Sequence, residues 1–296
     1  MKVYNSTGEI TSITTPVNKL KLFHSLSTKP MQQAPYRFNN QKSFNNFWYT
    51  AWSVLSAKQT FPNCQFNLHT DDLGARLLED LPYDNIYTDL NTLDTHRNLF
   101  ASAKFKALEV EELGAIHIDG DVILTNPLAA AMLNYEMNEV IVQNSEPTYQ
   151  REITLIKPLI RNADVLFGKG SFCCGVIGIN NQKLKDRYID EYFKYAAVLK
   201  RNSSVIDAIM QCNPRVIFDL IFEQANLFRL CVEGKYPVKR LCKNVSEIFQ
   251  LRHSGISHYI GSLKHKEENI ARCKAAVKEM APEIYTRLAV AEMEGI

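Results

Sequence analysis

Two carboxylates stand one residue apart in Asp119-Gly120-Asp121, directly after Ala115-Ile116-His117-Ile118 and directly before Val122-Ile123-Leu124. The apolar run reads as a buried strand, and in parallel α/β sheets the carboxyl ends of strands are where loops open onto a ligand crevice. Held together, two acids repel unless a cation lies between them. Their oxygens suit a hard divalent ion such as Mn2+ or Mg2+. The alternative reading of the same residues is a polar turn that closes a strand. The chemistry a cation site of this kind serves is departure of a diphosphate, because a metal bridging phosphate oxygens stabilises the charge that develops as the bond breaks.

A second cluster lies far downstream, in His258-Tyr259-Ile260-Gly261-Ser262-Leu263-Lys264. A neutral imidazole ligates manganese, a glycine lets backbone approach closely, and a lysine offers a point charge to a phosphate. His253 and His265 are alternative ligands on the same grounds. Between the two clusters run Ser171-Phe172-Cys173-Cys174-Gly175-Val176-Ile177-Gly178-Ile179-Asn180 and Phe222-Glu223-Gln224-Ala225-Asn226-Leu227.

In this order the segments resemble A-type glycosyltransferases, specifically the glycogenin-like and bacterial lipopolysaccharide galactosyltransferase-like family. Its DxD motif ends a strand of a Rossmann-like domain, and its C-terminal motif reads His-Phe-x-Gly-x-x-Lys-Pro-Trp. The resemblance implies that His258 joins Asp119 and Asp121 on the metal, while Gly120, Gly261 and Lys264 approach the donor diphosphate. Ser102 to Leu108 resembles the helix preceding DxD, with Lys104 in the place of a basic residue that approaches the donor; a solvated helix lysine is the other reading. Cys174 and Gly175 fall on the family's Phe-Asn-x-Gly-Val strand, which the resemblance implies contacts the nucleotide-sugar donor, and Cys173 replaces the usual asparagine there. Glu223-Gln224 resembles the Asp-Gln element beneath the transferring sugar, and a solvated helix face is its alternative. His265 and Lys266 stand in place of Pro-Trp. The implied function is transfer of a hexose from a nucleotide-diphosphate sugar, a UDP-sugar, to a glycan or lipid-linked acceptor with retention, using Mn2+ or Mg2+. Two other readings stay open: a non-catalytic sugar-nucleotide or glycan-binding protein, and a haloacid-dehalogenase-like phosphatase, for which no downstream acidic motif is found.

The elements that must position these residues alternate in type. Leu20–Leu26, Gln65–His69, Asn85–Thr88 and Ala115–Asp119 read as strands, with helices at Phe44–Ala57 and Leu99–Leu113. Further on, Glu139–Gln143 and Cys174–Ile179 read as strands, while Asn181–Lys200, Ser204–Gln211 and Val216–Leu227 read as helices. Glu146–Gly170 has no clear assignment, and a last helix over Lys264–Met293 is interrupted by Pro282. Such alternation predicts an α/β fold: one Rossmann-like nucleotide-sugar-binding domain over residues 1–296, with a mixed, mostly parallel sheet covered by helices. The helical C-terminal extension covers about 264–296.

At 296 residues, 46% apolar and 22% charged, the chain can bury a large core. A net charge of +2 with scattered basic residues argues against nucleic acid. The seven cysteines lack paired spacing, which suits a reducing compartment, and neither a secretory signal nor an apolar span long enough for a bilayer is read. A cytoplasmic enzyme without a transmembrane segment, and with room for peripheral membrane contact, is expected. Tyr36, Phe47, Trp48 and Trp52 suit either a base or acceptor site or, better, the core.

Overall fold

The structure, a computed structural model, describes residues 2–4, 10–12, 20–29, 40–94, 99–213 and 216–295. Tyr36 lies outside the described residues. The strands are β1 (Lys2–Tyr4), β2 (Ile10–Ser12), β3 (Lys21–Leu26), β4 (Gln65–Thr70), β5 (Asn85–Tyr87), β6 (Ile116–Ile118), β7 (Val122–Leu124), β8 (Val140–Glu146), β9 (Ser171–Ile179), β10 (Val238–Arg240) and β11 (Ile256–His258). Seven of them form one sheet in the order β10-β8-β9-β6-β3-β4-β5. All its pairings are parallel except those of β9, which runs against both β6 and β8. The expected mixed, mostly parallel sheet is therefore present. β1 pairs with β2, and β7 pairs antiparallel with β11 outside the main sheet.

Alternate residues of the central strands enter two different cores, because successive side chains of a strand face opposite ways. Leu22, Ile116, Ile141 and Val176 join one cluster, and Phe23, Val140, Val142 and Ile177 the other. Every residue of β9 is buried, as expected of a strand covered on both faces.

The helices are α1 (Asn40–Thr60), α2 (Asp72–Leu78), α3 (Ser102–Val110), α4 (Leu128–Met132), α5 (Gln150–Ile156), α6 (Ala163–Phe167), α7 (Gln182–Arg201), α8 (Ser203–Cys212), α9 (Asn226–Gly234), α10 (Ile248–Leu251), α11 (Glu267–Met280) and α12 (Pro282–Glu294). Caps mark two of the starts: Asp71 accepts from the Gly74 amide at α2, and Asn181 from the Leu184 amide at α7. Pro282 divides the C-terminal extension into two helices, as its missing N–H requires. Cys273, Val277, Ile284 and Leu288 of that extension share a core with Trp48 and Tyr49 of α1. The unassigned stretch 146–170 holds α5 and α6.

One helix differs from expectation. Instead of an α-helix over Val216–Leu227, a π-helical turn at Ile221–Ala225 leads into α9, which runs on to Gly234. Apolar periodicity finds the helix, but it does not register the wider i→i+5 winding of a π-turn.

Phe47 and Trp48 belong to the core, and Trp52 packs partly buried against it, so packing accounts for these aromatics. No helix among the described residues is long and apolar enough to cross a membrane.

Candidate active site

Two backbone links assemble the site. The Asp119 amide donates to the carbonyl of Gly175 at 2.8 Å, which ties the end of β6 to β9. β7 then pairs with β11 so that His258 lies across from Val122, and the Tyr259 amide donates to the Asp121 carbonyl at 3.0 Å. A three-residue strand from the C-terminal part of the chain is thereby laid beside the acidic turn.

Asp119, Asp121 and His258 each offer a ligand atom within 4.8 Å of one another. His258 Nε2 is 3.2 Å from Asp121 Oδ1, and its Nδ1 is 2.7 Å from the Oε1 of Gln143. With Nδ1–H donated to Gln143, Nε2 faces Asp121 and can either donate to that carboxylate or offer its lone pair to a cation. Two carboxylates and an imidazole are a donor set that Mn2+ or Mg2+ accepts, and the residues present fit such an ion. Lys264 Nζ donates to Asp121 Oδ2 at 3.1 Å. Burial pushes the Asp121 carboxyl up, but Lys264 and His258 outweigh it and hold the group well below the usual carboxylate range. Burial likewise acts against the Lys264 ammonium, and Asp121 more than offsets it, so the lysine stays charged.

Lys104 forms the second centre. Its buried ammonium donates to the Cys174 carbonyl at 2.9 Å and to Glu223 Oε1 at 2.5 Å, and lies 3.0 Å from Asp119 Oδ1. Burial works to lower its pKa, yet Asp119 and Glu223 raise it well above the ordinary lysine value. Glu223 is shifted up, by burial first, with Lys104 partly countering. Gln224 Oε1 and Glu146 Oε2 lie 2.5 and 2.6 Å from the Tyr149 hydroxyl. One phenolic proton cannot serve both at once, so the Tyr149 hydroxyl is shared between these two acceptors. Burial keeps the Cys173 and Cys174 thiols protonated, which leaves carboxylates, amides, ammonium groups and imidazole as the working chemistry.

These groups line a cavity of about 720 Å3. It brings together Lys104, Asp119, Gly120, Asp121, Gly175, Glu223, Gln224, His258, Gly261 and Lys264. Cys174 is the exception: its side chain lies in the core and only its carbonyl turns to Lys104, whereas Cys173 lines the cavity. Gly261 has φ +57° and nothing within 4 Å of where a Cβ would be, so its backbone faces open space in a conformation that favours glycine. His265 lines the cavity outside the acid–imidazole group, and His253 does not line it. Gln143, Glu146 and Tyr149 were not anticipated. A glutamine inside an apolar strand is a faint signal, and the other two fall in the stretch without assignment.

The fold and site thus define an α/β protein with an acid–imidazole cluster at the carboxyl end of a parallel strand. The chain belongs to the family of unknown function DUF6734, which it matches over residues 20–291. No curated protein matches it. Among solved structures it is similar to the glycosyltransferase GlyE of Streptococcus pneumoniae TIGR4, at 13% identity over 93% of this chain and 64% of that one, with a TM-score of 0.41. It is also similar to the apo bifunctional glycosyltransferase WbbM, at 13% identity over 95% and 53% and a TM-score of 0.43. A third is the galactosyltransferase LgtC in complex with donor and acceptor sugar analogues, at 12% identity over 91% and 100% and a TM-score of 0.43. The chain spans less than two thirds of the GlyE and WbbM chains.

Proposed function

We propose that this protein is a metal-dependent glycosyltransferase that moves a hexose from a nucleotide-diphosphate sugar, UDP-linked, to a hydroxyl of a glycan or lipid-linked acceptor with retention. It would act as one catalytic domain with a helical C-terminal extension, in polysaccharide assembly. The observation that carries this reading is the meeting of Asp119, Asp121 and His258 with Lys264 on the wall of the cavity that also holds Glu223 and Gln224.

Asp119, Asp121 and His258 would hold Mn2+ or Mg2+, which when bound supplies charge stabilisation to the leaving diphosphate. Lys264 adds a second positive charge there, and the open backbone at Gly261 lets phosphate oxygens come close. Lys104 anchors Asp119 and Glu223, so that the ligand and the sugar-side carboxylate keep a common frame. Glu223 and Gln224 face the sugar, where a carboxylate and an amide stabilise positive charge at its anomeric carbon. In the retaining route the bond from that carbon to the diphosphate oxygen breaks and one to the acceptor oxygen forms on the same face. The acceptor proton passes to the departing diphosphate, so no separate protein base is needed.

The test is a thermal-shift screen of nucleoside diphosphates with and without Mn2+, followed by nucleotide release from the matching sugar donors. A ligand at 100 times its Kd adds about 2.7 kcal/mol of stability. Absence of any shift, together with no donor cleavage, would overturn the reading.

A further inference from the structure

We infer that Gln143 is the positioning residue that makes His258 a metal ligand, by accepting a hydrogen bond from Nδ1–H and leaving Nε2 free for the cation. The inference rests on the metal-site reading above and names a residue that no resemblance suggested. Gln143 sits fully buried on β8, with its side-chain Oε1 2.7 Å from His258 Nδ1. Its own amide nitrogen makes no hydrogen bond to the described residues.

The amide's orientation has a chemical consequence. With Oε1 toward the ring, Nδ1 carries the proton and Nε2 can ligate. With the amide turned around, its N–H would donate to Nδ1, Nε2 would carry the proton, and the ring could not bind a cation without losing it. Only the first orientation leaves Nε2 able to share a cation with Asp121, 3.2 Å away; the second would commit Nε2–H to that carboxylate. Outer partners of this kind fix tautomer and ring angle at metal sites.

Gly175 supplies a second, independent observation. A Cβ there would come within 2.4 Å of His258 Cε1, 2.8 Å of His258 Nδ1 and 2.8 Å of Gln143 Oε1. The strand β9 is bare of side chain where this hydrogen bond passes. Gly175 therefore admits the Gln143–His258 pair, a role distinct from the donor contact expected of it from the sequence.

Three variants test the inference: Gln143→Met, which keeps the length and removes the acceptor; Gln143→Glu, which keeps an acceptor oxygen; and Gly175→Ala, which wedges the pair apart. The protein is labelled with 15N-histidine for NMR assignment of the ring protons, and Mn2+ binding is read by electron paramagnetic resonance, with melting temperature as the folding control. In the wild type the Nδ1 of His258 should carry a proton. Gln143→Met and Gly175→Ala should weaken Mn2+ binding by about 10- to 100-fold, with the Nδ1 proton lost in Gln143→Met, and Gln143→Glu should retain both proton and affinity. Wild-type Mn2+ affinity and an unchanged Nδ1 proton in Gln143→Met overturn the inference. If Gln143→Met fails to fold, the folded Gln143→Glu and Gly175→Ala decide it by the same two readouts. A wild type that binds no Mn2+ would remove the metal reading, and the ring-proton assignment would still decide what Gln143 does to His258.

Discussion

Removing the ammonium of Lys104 while keeping its apolar stem, as in Lys104→Met, should leave Glu223 as a buried carboxylate with no cation. Glu223 has a side chain only 4% exposed and Lys104 Nζ is 2.5 Å from it, whereas Asp119 is 37% exposed and partly screened by water. The cost therefore falls mainly on Glu223. Breaking a buried pair by deleting one partner destabilises by about 3 to 5 kcal/mol. A carboxyl whose folded pKa lies above its unfolded value costs stability at pH above that folded pKa, and the cost vanishes below the unfolded one. Glu223 is already shifted up by burial, and the variant shifts it further, so the loss should shrink on acidification from pH 7.5 to 5. Glu223→Gln made in the same chain removes the uncompensated charge and should recover most of the loss. The assay is urea unfolding of wild type, both single variants and the double variant, in chelator at the two pH values. Independent sites add to within about 0.5 kcal/mol. Additivity at that level, or a loss that grows on acidification, would refute the assignment of Lys104 as the counter-charge of Glu223.

Lys264→Ala should weaken nucleoside-diphosphate binding by about 1.5 to 3 kcal/mol, the worth of a charge-assisted contact, as read by calorimetry; unchanged affinity would take the lysine off the phosphates. Gln224→Ala should lower turnover while leaving nucleotide and Mn2+ affinity nearly intact, since the lost contact is to the sugar. Proton NMR of the first product should show the donor's anomeric configuration, and an inverted linkage would remove the role given to Glu223 and Gln224. His69 donates toward Asp89 and Glu111, each at 3.0 Å. Burial lowers its pKa, but the two carboxylates outweigh burial and raise it above the ordinary histidine value. Its contribution is thus complete below about pH 6.5 and lost as pH rises through the folded value. The melting-temperature gap between wild type and His69→Gln should narrow from pH 6 to 9, and a gap that widens would contradict it.

Local pattern was enough for much of the architecture. Alternation of apolar residues placed β3, β4 and β6 to within a residue or so of their ends, and Pro282 marked the break between α11 and α12. These features depend on side-chain period and on one missing N–H, which a sequence displays directly. The acidic turn was equally legible, because a strand end and its two carboxylates are contiguous. What contiguity cannot show is which distant segment lies beside that turn. The β7–β11 pairing sets His258 there, and the alternatives His253 and His265 were separable only once that register existed. Gln143 was silent for the same reason: its amide means little on β8 until a ring from β11 arrives at 2.7 Å. The π-turn that carries Glu223 and Gln224, and the burial that makes Lys104 the counter-charge of Glu223, also come from packing. Chemistry that resides in one strand and its loop was determined by the sequence itself. Chemistry that needs groups from β6, β8, β9, β11 and α3 within hydrogen-bonding reach was decided by tertiary structure, because hydrogen bonds and ion pairs act over a few ångströms and sequence separation does not report those distances.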